Sequence, residues 1–179
     1  MRTKQLIIQT TALAMIIVLC FAVQAMWFSR KTVYVNLQEI YDRFEYSQSM
    51  QKKAEQTLTA RTNIIDSLKY ILEVEYRQLQ SALDKSQEKR KEALVQFNQN
   101  RQEFLQKKQT FEKNNAEMLE QYDKQIWTQI NKYIGDYGKE KGMGIIVGGN
   151  GDGNVMYSPG ELDITEDIIA YINLKHKGV

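Results

Sequence analysis

The chain has one proline, Pro159, one cysteine, Cys20, one histidine, His176, and no glycine before Gly135. Each shortage excludes something. A lone cysteine cannot form an intramolecular disulfide. Without glycine or proline, the chain before Gly135 lacks the usual local signals for turns and reads as long elements. His176 sits in a basic tail and reads as solvated. No nucleophile, base and orienter can be assembled from these residues with any specificity, so no enzyme, cofactor or metal is expected. Neither sign of charge dominates: 24 Lys and Arg against 22 Asp and Glu give a net +2. No nucleic-acid partner is expected.

Glycine is concentrated late, with six of ten between Gly142 and Gly153, in the stretch GMGIIVGGNGDGNVMYSPGE. A phosphate-binding loop would need Gly-Lys-Ser/Thr or a helix directly after the glycines, and Asn154-Val155-Met156-Tyr157 offers neither. A calcium loop starting at Asn150 places Asp152, Asn154, Ser158 and Glu161 well. It puts Val155 where glycine is needed, however, and has an apolar β-branched run before it instead of an entering helix. A turn accounts for every residue: Ile145, Ile146 and Val147 form one short apolar run, and Val155, Met156 and Tyr157 form another. The glycines between them supply positions that tolerate positive φ. The expectation is a β-hairpin.

The start is apolar. After Arg2 and Lys4, residues 6–28 carry no charge, ending at Trp27-Phe28 and followed by Arg30-Lys31. That length can span a bilayer, which needs about 20 residues. Val23-Gln24-Ala25 also offers a signal-peptide cleavage site. The aromatic pair followed by two cations favours an uncleaved signal anchor in the inner membrane over a cleaved, soluble periplasmic form. Residues 1–31 are thus read as a targeting or anchoring segment.

Thr32-Val33-Tyr34-Val35-Asn36 alternates and reads as a strand, and Asn36 with Glu39 has the form of a helix N-cap. Apolar residues then recur at threes and fours: Ile40, Phe44, Leu58, Ile65, Leu68, Leu72, Tyr76, Leu79 and Leu83. A second stripe runs Leu94, Phe97, Phe104, Phe111, Met118, Tyr122, Ile126, Ile130, Tyr133 and Tyr137. The spacing near 3.5 marks a coiled-coil seam. Between the stripes, residues 84–92 (DKSQEKRKE) are wholly polar. Residues 37–83 and 92–138 are equal in length, so a hairpin with its tip near Ser86 returns the chain to its start. One unbroken helix would be roughly 150 Å long and would leave the short β segments unpaired. The last helix is expected after Asp163, which is spaced from Glu166 like a capping box, with Ile164, Ile168 and Ile172 on one face.

The exported start, VYVN leading into a long helix, the helical hairpin, GMGIIVGG after the second arm, MYS and DITEDIIAYI together resemble the Skp/OmpH family of periplasmic chaperones. The resemblance covers residue 32 to about 174. It implies an α+β, mostly α fold: a β body from 32–36 and 139–179, and a hairpin arm over 37–138. It further implies a homotrimer whose arms hold unfolded outer-membrane proteins in a cavity without ATP. In that reading Val33, Val35, Ile145, Ile146, Val147 and Tyr157 form the core of the trimeric body. Which arm residues touch the client is not specified. The near balance of charge beyond residue 28 departs from strongly basic members of the family and argues against electrostatic capture of acidic clients or lipopolysaccharide. The competing reading is a membrane-anchored coiled-coil tether, such as the peripheral-stalk subunit of an ATP synthase. It leaves VYVN, the glycine-rich segment and the DIT helix without a role.

Overall fold

The structure, a computed structural model, describes residues 15–20, 31–81, 86–150 and 155–178. The anchor expected over 6–28 lies outside the described residues except for 15–20, which are helical and exposed. Among the described residues no helix is long and apolar enough to cross a membrane.

The element order is β1 (Thr32–Asn36), α1 (Leu37–Arg43), α2 (Glu45–Ser81), α3 (Gln87–Glu140), β2 (Ile145–Gly149), a 3-10 turn (Gly160–Leu162) and α4 (Thr165–His176). Long helices dominate, with one small two-stranded sheet. Asn36 ends β1 and caps α1, its Oδ1 accepting the Glu39 N–H at 3.2 Å. The first helix is not continuous from Leu37 to Leu83 as the apolar spacing suggests. Phe44 adopts an extended backbone (φ −74°, ψ 118°) and separates α1 from α2. Its side chain is wholly buried, edge-on to Tyr133 at 6.2 Å and to His176 at 5.6 Å. Burial of one aromatic ring, with no glycine or proline nearby, accompanies the break. His176 is exposed, as expected, and one edge of its ring also packs on Phe44.

The chain divides into two compact units, 1–44 with 130–179 (the body) and 45–129 (the arm). The division falls at Phe44 and Ile130, inside the segment read as arm from the sequence. In the body, β1 and β2 pair in parallel, from Thr32 beside Ile145 to Asn36 beside Gly149. Parallel strands need a long crossover, and here the whole hairpin supplies it. Alternation sends Val33 and Val35 inward, where they are buried with Ile40, Phe44, Ile130, Tyr137, Ile168 and Ile172. Helix α4 packs on α1 and β1.

The β-hairpin expected over 145–157 does not form. Residues 155–158 contain no strand, Met156 and Tyr157 are 88 % and 82 % exposed, and β2 takes β1 as its partner. Of the glycines expected in the loop, Gly151 and Gly153 lie outside the described residues, and Gly148 and Gly149 serve another purpose than the one expected. Gly148 and Gly149 lie within β2 without positive φ, which among the described residues occurs at Gly142 and Gly178. A Cβ on Gly148 would sit 2.6 Å from Leu37 Cδ1, and one on Gly149 would sit 2.9 Å from Tyr34 Cε2. These two glycines give room to neighbouring side chains. Gly142, at φ 64°, follows the end of α3 in the left-handed conformation that favours glycine.

The DIT segment ties the end of the body to its beginning. Ile164 N–H donates to Tyr34 O at 3.0 Å, and Thr165 Oγ1 accepts the Asn36 N–H at 2.9 Å. Asp163 Oδ1 accepts the Thr165 N–H at 2.9 Å. The expected capping box does not form: the residue before the helix is Ile164, which gives no side-chain cap, Asp163 reaches Thr165 and not Glu166, and Glu166 takes two hydrogen bonds from Arg43, at 2.5 and 2.9 Å. Asn173 Nδ2 donates to Arg43 O at 3.1 Å, satisfying a carbonyl at the end of α1.

Candidate functional site

No described group of His, Cys, Asp and Glu could hold a metal ion, and residues 151–154 of the candidate calcium loop lie outside the described residues. The surfaces that offer chemistry are apolar. One is on the body and the other is on the arm.

The six residues assigned to the body core separate onto two sides of the sheet. Register places Val33 beside Ile146 and Val35 beside Gly148 on the inner face. Val33 and Val35 are buried, and Ile146 is half-buried against the Gly138 turn of α3, which has room for it because a Cβ there would approach Ile146 Cδ1 to 3.2 Å. Tyr34 beside Val147, and Thr32 beside Ile145, point the other way. Ile145 is 59 % exposed and Val147 37 %. Tyr157 belongs to this outer side, where Tyr34, Val147, Val155, Tyr157, Pro159 and Leu162 line an open recess of about 170 Å³. In the single chain, therefore, Ile145, Val147 and Tyr157 are surface residues. Tyr34 and Leu162 join them without having been singled out from the sequence. The alternation of TVYVN announces two faces, but which one turns inward depends on helices far along the chain.

In the arm, α2 and α3 run antiparallel. Cross-helix partners close in sequence from Tyr46 with Gln125, 79 residues apart, through Arg61 with Asn115, 54 apart, to Glu75 with Asn100, 25 apart. Tyr76 and Phe97 meet nearest the tip, with ring centroids 6.2 Å apart. The half-buried positions on α2 alternate by three and four through Leu58, Arg61, Ile65, Leu68, Leu72, Glu75 and Leu79. Glu75 thus occupies a seam place that the apolar stripe gave to Tyr76, which is 54 % exposed. On α3 the seam runs through Phe97, Asn100, Phe104, Lys107 and Phe111, while Leu94 stays exposed. Polar seam residues are invisible to a reading that follows hydrophobic spacing. The arm leaves Ile64, Tyr70, Ile71, Tyr76, Val95 and Leu105 exposed.

A hairpin of two long helices with a body made from strands at both ends of the chain defines the class. The chain belongs to the OmpH-like family: the family model described as outer membrane protein (OmpH-like) matches residues 31–172. Among solved structures, it is similar to a protein from Caulobacter crescentus CB15 proposed to be an outer membrane chaperone (OmpH-like). That match has 10 % identity and a TM-score of 0.71, and covers 80 % of this chain and 84 % of that one. At such identity the likeness is one of fold. A search of curated proteins finds no match.

Proposed function

We propose that this protein is an ATP-independent chaperone of the cell envelope that holds unfolded outer-membrane proteins. Membership of the OmpH-like family and the fold shared with the Caulobacter protein support the chaperone role. The observation that carries the client-holding part is the set of exposed apolar side chains on the arm, from Ile64 to Leu105. Scattered apolar contacts of this kind suit transient capture, because each is weak and can break on its own, so that a client is released stepwise.

The outer sheet face supports assembly. A two-stranded sheet is marginal alone, and Ile145, Val147, Tyr34 and Tyr157 gain by removal from water. We assign this face to contact between copies, in a trimer as the resemblance implies, and the inner residues Val33, Val35 and Ile146 to the fold of each chain. Residues 6–28 would tether the assembly to the inner membrane; N-terminal sequencing that begins at Met26 would instead place it free in the periplasm.

The test of function is suppression of aggregation of a urea-unfolded outer-membrane barrel protein on dilution, without nucleotide. The account expects suppression that weakens when Tyr70, Ile71 and Tyr76 are replaced together by serine. A protein that leaves aggregation unchanged is a scaffold with this fold, not a chaperone.

A further inference from the structure

The arm is not equally secure along its length. Its base buries Ser47, Met50, Ala54 and Ile126. None of the described residues 55–81 and 86–125 is buried to that degree. Beyond the base, two polar pairs bridge the helices within the seam, and they differ. In the first, the Arg61 guanidinium donates to Asn115 and lies 5.4 Å from the centroid of the Phe111 ring, so the charge has two partners. In the second, Asn100 Nδ2 donates to Glu75 Oε1, but Glu75 Oε2 is enclosed and meets no donor among the described residues. An enclosed carboxylate oxygen without a donor loses its hydration uncompensated. Replacing such a half-satisfied pair by apolar side chains is often stabilising. Beyond this layer, among the described residues, Leu79 and Ala93 are half-buried and Phe97 meets the largely exposed Tyr76.

We propose that the Glu75–Asn100 layer is a built-in hinge. The arm beyond it, described at 76–81 and 86–99, separates from its partner helix in a local opening, while the part held by Arg61 and Asn115 stays paired. Opening in cooperative units of different stability is how proteins place mobility where the seam is weakest.

Hydrogen exchange of the intact protein, read by mass spectrometry, tests it. Backbone amides of 76–81 and 86–99 are expected to exchange at least about tenfold faster than those of 58–72 and 104–118. Replacing Glu75 and Asn100 together by leucine is expected to slow the distal amides by about tenfold or more while leaving the base unchanged. Arg61→Leu with Asn115→Leu should not slow the distal amides. If the leucine pair disturbs the helices by circular dichroism, Glu75→Gln reads the same layer, because a neutral amide is less costly to enclose than a carboxylate. Slower distal exchange in that variant supports the hinge. Uniform exchange along the wild-type arm, or distal exchange that Glu75→Gln leaves unchanged, overturns it.

Discussion

Thr165 and Asn36 lie 129 residues apart in the chain and are joined by one hydrogen bond, from the Asn36 N–H to Thr165 Oγ1 at 2.9 Å. The bond sits where β1 becomes α1 and where α4 begins, so it fastens the two ends of the body. Asn36 uses its backbone for Thr165 and its side chain for Glu39 N–H. Thr165 is buried. Its methyl and its hydroxyl therefore both matter, one for packing and one for an otherwise unmet donor.

Thr165→Val keeps the shape and removes the acceptor. The expected cost is about 1–3 kcal/mol, that of leaving a buried donor unmet. Thr165→Ser, which keeps the hydroxyl, should cost less than the valine variant. Urea unfolding of the three proteins measures this, and equal midpoints for valine and wild type would show that the bond contributes nothing.

Gly148→Ala should destabilise the body by about 1–3 kcal/mol, since the added Cβ would lie 2.6 Å from Leu37 Cδ1 and 2.8 Å from its Cγ. The effect should shrink when Leu37 is already alanine, because the clash partner is gone. A double-mutant cycle reads the difference. An alanine penalty that is the same in both backgrounds would place the role of Gly148 in the backbone instead.

Tyr171 ionises late. Burial of its ring and then its hydrogen bond to Glu140, 2.9 Å long, push its pKa up to about 12 from 10.0. The folded state thus favours the neutral phenol. Its contribution to stability is full below the unfolded value of 10.0 and is lost as pH rises through about 12. An absorbance titration at 295 nm of wild type minus Tyr171→Phe should isolate one step near 12. A step near 10 would contradict the packing of α4 against the end of α3.

Much of the fold is written locally. The β1 strand, the Asn36 cap and the start of the last helix near Asp163 depend on residues within a few positions of each other, and the structure has them where the pattern put them. The return of the hairpin follows from equal arm lengths. What the pattern missed is tertiary in origin. Phe44 breaks the helix while buried against Tyr133 and His176, both distant in sequence. Gly148 and Gly149 resemble turn glycines in isolation, and only the neighbours Leu37 and Tyr34 reveal why a side chain is missing there. The seam places of Arg61 and Glu75 disappear when apolar spacing alone is followed. For the candidate site, the sequence named residues from both faces of one sheet. Only the position of α4 and α1 divides Val33 and Val35 from Ile145 and Val147.

The mass of the complex formed with an unfolded outer-membrane barrel protein, read by size exclusion with light scattering, tests the central claim most directly. The account predicts a complex of three chains with one client. Val147→Asp, which puts a charge on the outer face, should reduce the chain to a folded monomer that no longer retains the client. Ile146→Asp, on the inner face, should unfold the body as well. A wild-type chain that is not trimeric, or a trimer that forms no complex with the client, would contradict the account.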